Sequence, residues 1–182
     1  MRASICAVKI RATAVLLPLA LVACAAPAPF DGDMPPFTPS RDGATFRFGQ
    51  TASIVTKDVR FHVPVQWEIT VDKPTTSRAP RSAAETASIV CFPVTYTPVA
   101  IGEFPRDVTV AMPELSPIDG SLAANRADPA YCGDTTVTGY IRDLRENDTY
   151  EGFVASWAGN ADPGIVATGV ELRSRDATVT WE

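Results

Sequence analysis

Cys24 carries the best-defined chemistry in this chain, because of the residues before it. Leu21-Val22-Ala23-Cys24 closes a stretch that begins with the cations Arg2, Lys9 and Arg11 and continues through an apolar run, 12–21, interrupted only by Thr13 and Pro18. A cationic start, a short apolar run and a small residue before the cut describe a secretory signal. A cysteine directly after Leu-Val-Ala makes the signal a bacterial lipobox. The expected chemistry is a diacylglyceryl thioether on Cys24, cleavage before it, and a mature lipoprotein that starts there. A membrane-spanning helix is the poorer reading, since crossing a bilayer takes about 20 apolar residues and no charge cluster follows the run. A plain signal peptide cut after Ala23 is the second alternative. One acyl chain holds a protein to a bilayer marginally and two hold it stably. A diacylated Cys24 therefore predicts a domain kept on the extracytoplasmic face of the cell membrane.

The other cysteines follow from that reading. Of the four in the chain, Cys6 leaves with the signal and Cys24 is consumed by lipid, so Cys91 and Cys132 remain. In an oxidising, exported compartment they are expected to pair. The bond closes a loop of about 42 residues and is worth about 4 kcal/mol in the chain-entropy account. A metal site or catalytic thiol would need further ligands or a base, and the chain has a single histidine, His62.

His62 sits between Phe61 and Val63, which in strand phase puts it on an exposed or edge face. A general base also needs a nucleophile and an orienting acid within reach, and no Gly-x-Ser-x-Gly elbow is present. Asp143, Glu146 and Asp148 are candidates for the carboxylate pair of a glycoside hydrolase, but turns favour Asp and Asn for local hydrogen bonds. Asp31-Gly32-Asp33 lacks the rest of a calcium loop. Trp67, Trp157 and Trp181 could line a sugar or peptide groove, although their apolar neighbours in strand phase favour the core. No metal site, cofactor or catalytic residue is expected.

Those residues must be held by something, and the rest of the chain reads as strands. Removing residues 1–23 takes three of 16 cations and no acid, leaving 13 basic against 21 acidic side chains, a formal charge of −8. That balance argues against nucleic acid as a partner, since phosphate binding demands a basic surface. It also leaves lipid as the means of membrane attachment. Residues 24–43 hold five prolines and read as a tether, partly polyproline II. From 44 to 182 the chain punctuates like an all-β domain. In 63–71, Val63, Val65, Trp67, Ile69 and Val71 share one face, with Gln66, Glu68 and Thr70 opposite; Pro64 marks an edge or bulge at its start. In 88–99, Val90, Phe92, Val94 and Tyr96 face one way while Ile89 and Cys91 face the other, as in a central strand. Further strands are expected over 107–111, 135–141 and 150–157, the last with Phe153, Ala155 and Trp157 on one face. A closing hairpin is expected over 165–172 and 177–181. Residues 73–84 and 112–134 read as loops, with a short helical turn near 122–126 and Cys132 pinning the second loop to the Cys91 strand.

Three segments resemble a loose group of small exported bacterial proteins, many of them lipoproteins, with an immunoglobulin-like sandwich. They are Phe48-Gly49-Gln50-Thr51-Ala52 leading to Trp67-Glu68-Ile69-Thr70-Val71, then Ile89-Val90-Cys91-Phe92-Pro93-Val94-Thr95-Tyr96, and last Thr149-Tyr150-Glu151-Gly152-Phe153 with Thr178-Val179-Thr180-Trp181-Glu182. The resemblance implies an antiparallel β-sandwich and an extracytoplasmic interaction domain, not an enzyme. The chain departs from the immunoglobulin signature, because Trp67 precedes both cysteines and no tryptophan lies between them. The expectation is a lipid-anchored binding domain whose loops, mainly 73–84 and 112–134, meet an envelope protein or glycan. A carboxylate-dependent envelope hydrolase and a structural accessory subunit are the alternatives.

Overall fold

The computed structural model describes residues 34–58, 62–80, 86–103, 109–135, 139–158 and 166–182. The signal, Cys24, the tether up to residue 33, residues 81–84 of the first expected loop, and the middle of the strand expected over 135–141 lie outside the described residues.

Twelve strands are described: β1 Ala44–Phe46, β2 Thr51–Lys57, β3 Pro64–Val71, β4 Thr75–Pro80, β5 Thr86–Ile101, β6 Thr109–Ala111, β7 Leu115–Asp119, β8 Leu122–Ala123, β9 Tyr140–Arg142, β10 Tyr150–Ala158, β11 Gly169–Arg173 and β12 Thr178–Trp181. One sheet runs β1-β12-β11-β7-β8. A second runs β10-β5-β3-β2, with β4 also on β5, and β6 and β9 form a separate ribbon. The pairings are antiparallel except for β1, which lies parallel to β12.

The two large sheets turn their apolar faces to one core. Ala52 and Ile54 of β2, Trp67, Ile69 and Val71 of β3, Phe92 and Val94 of β5, and Val154 of β10 meet Leu115 of β7, Val170 and Leu172 of β11, and Val179 and Trp181 of β12. The alternation in β3 predicts its buried face correctly. It does not predict Gln66, which is buried on the opposite face and donates from Nε2 to the Pro35 carbonyl at 3.3 Å. The covering chain is the last part of the expected tether. Residues 34–43 form neither strand nor helix, yet Ser40 bonds to Ser53 of β2 and Gly43 N donates to Thr178 O.

β5 is central, as its two apolar faces imply, and it extends over 16 residues. β3 pairs with its second half up to Val71↔Val94, and β4 with its first half from Thr75↔Cys91. Pro93 stands at the handover. Its carbonyl accepts from Asp72 N, so its missing N–H faces the gap between β3 and β4 and no ladder bond is lost. Pro64 is tolerated for a different reason from the one its position suggests. β3 lies between β2 and β5, and Pro64 is merely its first residue; the register shift falls later, between Gln66 and Trp67.

Two loop expectations are corrected. Residues 75–80 of the first are β4, a polar strand with no alternation of its own, which forms by adding to the edge of β5. The second, 112–134, contains β7 and β8, joined by a two-residue turn in which Gly120 takes φ +56°, a position that favours glycine. Its helical turn is a 3-10 turn at Pro129–Tyr131, capped by the Asp128 carboxylate, and not at 122–126.

Candidate functional site

The structure brings Cys91 and Cys132 into a disulfide, with 5.7 Å between their Cα atoms. Cys91 lies in β5 on the face turned away from the main core, beside Ile89, Ala79 and Ala155. The segment 125–133 crosses that face as a flap. Trp157 N donates to Asn125 O at 3.0 Å and Ala127 N to Ala155 O at 2.9 Å. Ser156 Oγ donates to Asn125 O, and Ser77 Oγ donates to Tyr131 O. The Tyr131 and Trp157 rings lie 6.3 Å apart. The face expected for Phe153, Ala155 and Trp157 is thus the face that packs under the disulfide-pinned flap. Trp67 and Trp181 are fully buried in the main core, whereas Trp157 is half-buried here.

Beside the flap, the two large sheets part along β10 and β7 to leave a side groove of about 500 Å³, within the range of small-molecule sites. Tyr96, Gly152, Phe153 and Val154 line one wall, Leu115 and Pro117 the other, Met112 just past β6 and Tyr140 of β9 line one end, and Arg126, Ala127 and Pro129 of the flap line the other. Tyr140 is 66% exposed, so its ring is open to a ligand. The groove's two charged lining residues, Glu114 and Arg126, pair with each other at 2.8 Å. Arg126 also donates to Leu115 O and Ser116 Oγ.

Tyr96 sits at the base of this groove, 8% exposed. Burial pushes its phenol above the ordinary value near 10, because the ionised form loses its hydration. The folded state therefore favours the neutral phenol. That contribution is complete below about pH 10 and is lost as pH rises, since the unfolded chain ionises first. Stability is expected to fall by on the order of 1 kcal/mol between pH 10 and 11 through this residue. Urea midpoints of wild type and Tyr96→Phe across that interval check it: the variant's curve should be the flatter of the two.

A second, end groove of about 310 Å³ opens on the far side of the ribbon. Val65, Val110, Met112 and Leu172 form its floor, and Lys57, Asp58, His62, Arg175 and Asp176 lie around its mouth. His62 is exposed, as expected, but its backbone takes φ +57°, outside strand geometry. Asp143, Glu146 and Asp148 stay on an exposed turn, where Glu146 accepts from Ile101 N at 2.9 Å. Among the described residues, no three His, Cys, Asp or Glu side chains converge to hold a metal ion. No helix of the described residues is long and apolar enough to cross a membrane.

Sequence reasoning placed Met112, Glu114 and Arg126 in the 112–134 contact segment without singling them out, and missed Tyr96 and Tyr140 as groove residues. They come from β5, β9, the connection between β6 and β7, and the flap, and only the meeting of two sheets and a ribbon puts them together. No family model, curated protein or solved structure matches the chain.

Proposed function

We propose that this protein is a lipid-anchored, non-enzymatic binding domain of the bacterial cell envelope, built as an immunoglobulin-like sandwich. The anchor reading rests on Leu21-Val22-Ala23-Cys24. The sandwich reading is supported by how the chain alternates between sheets. β5 and β10 lie side by side in one sheet, while β7, β11 and β12 lie together in the other, which parallels strands B and E against C, F and G of the immunoglobulin pattern. The disulfide departs from that pattern, joining β5 to the flap and not to the opposite sheet.

The observation that carries the binding reading is the side groove. Its walls are apolar and aromatic, and its two charged lining residues are committed to each other. Such a lining suits holding a ligand more than transforming one. The ligand is an envelope protein or glycan, met by the groove, to which the 112–134 segment contributes one wall and the flap end.

The experiment pairs anchor and groove in one strain. The full-length chain should incorporate palmitate and Cys24→Ala should not. The anchored protein should capture envelope glycan or protein, and Tyr140→Ala should weaken that capture at least tenfold. Labelling that persists in Cys24→Ala sinks the anchor. Capture unaffected by Tyr140→Ala, or envelope hydrolysis in place of capture, sinks the binding groove.

A further inference from the structure

Among the described residues, the outer edge of β2 carries no paired strand where the end groove begins. Ser53 turns its main-chain groups away from β3, its N–H donating to Ser40 Oγ at 2.9 Å and its C=O accepting from Ser40 N at 2.7 Å. Strand residues repeat with period two, so Val55 and Lys57 present their N–H and C=O groups to the same side. Among the described residues, the N-terminal segment bonds to the main chain of this edge at Ser53 alone and then passes over Gln66 through Pro35. Among the described residues, no main-chain partner meets Val55 or Lys57 there. Both residues line the end groove, whose floor is apolar. Among the described residues neither Lys57 nor Arg175, both of which line that groove, is in a salt bridge.

We propose that the β2 edge is a docking site for an extended peptide segment of a partner protein, which adds as an antiparallel strand beside Val55–Lys57. A row of unpaired N–H and C=O groups at strand spacing matches another backbone, and neither a sugar nor an acyl chain offers that repeat. The side-chain preference follows from the pleat. Thr56 faces inward, accepting from Trp67 Nε1, so the peptide residue opposite it points into the apolar groove. Lys57 lies on the other face, so an acidic residue opposite it is favoured. The segment recognised is therefore extended and alternates apolar with acidic side chains. The end groove shares 111–114 with the side groove, but the β2 edge lines the end groove and not the side groove.

The test titrates the isotope-labelled full-length protein, in detergent micelles, with a capped seven-residue peptide alternating valine with glutamate and threonine, while following backbone amides by NMR. Saturable shifts are expected at Val55 and Lys57. The same peptide with lysine for glutamate should bind at least fivefold more weakly, and Lys57→Glu should reverse that preference. Methylating the peptide nitrogens that would donate to Val55 and Lys57 should abolish binding to the unaltered protein. No saturable shift at Val55 and Lys57 overturns the proposal. So does equal binding of the methylated peptide, which would point to groove contacts without strand addition.

Discussion

Trp67→Ala is expected to lower the unfolding free energy by about 3–5 kcal/mol, the usual cost of truncating a buried large aromatic side chain. Trp67 is fully buried at the middle of β3 and faces the strands of the opposite sheet. Its Nε1–H donates to Thr56 Oγ1 at 2.8 Å, so alanine removes ring volume and also leaves the Thr56 hydroxyl without its donor. The melting temperature should drop by roughly 10 °C or more. Trp67→Phe keeps most of the volume and should cost less, the remainder reporting the hydrogen bond and the smaller ring. Calorimetry of the three proteins separates these contributions. A loss under about 1 kcal/mol for Trp67→Ala would mean that the two sheets do not depend on this residue for their contact.

Replacing both Cys91 and Cys132 by serine is expected to cost about 4 kcal/mol. The bond spans a sequence separation of 41 residues, and removing it releases that loop in the unfolded chain. Its native consequences are local. The flap 125–133 would keep its hydrogen bonds to β10, but Ala79, Ile89 and Ala155 would lose the covalent clamp on their cover. Hydrogen exchange should therefore accelerate first at the Ala127 and Trp157 amides. Chemical denaturation of the double variant gives the total, and the exchange pattern gives its location. Uniform loss of protection across β3 and β11 would contradict the local account.

The legible parts of this fold were those written in single strands. The alternation from Val65 to Val71 gave the inward face of β3, and apolar residues on both sides of 88–96 marked β5 as central. Cysteine arithmetic indicated the Cys91–Cys132 disulfide. What escaped was set by neighbours. β4 has no apolar face and exists because β5 offers it an edge. β7 contains Pro117 and follows Pro113, so its sequence reads as loop, yet Leu115 and Ile118 are buried. Gln66 looked like a solvent-facing residue until the segment around Pro35 crossed it. The side groove was illegible for the same reason, since Tyr96, Tyr140 and Arg126 share no local pattern.

The parallel pairing of β1 with β12 also decides how the domain answers force. Any pull arriving through the N-terminal chain meets the Pro35–Gln66 and Ser40–Ser53 contacts and then Ala44–Phe46, laid along Val179–Trp181. β12 is held in turn by β11, and Glu182 N is tied to Phe46 O. Strands loaded lengthwise share tension across their bonds together instead of parting one by one. Past those first contacts, the pull therefore spreads into the β1-β12-β11-β7-β8 sheet. A domain seized at one surface and tethered by its leading end would make its first mechanical stand at this short lock.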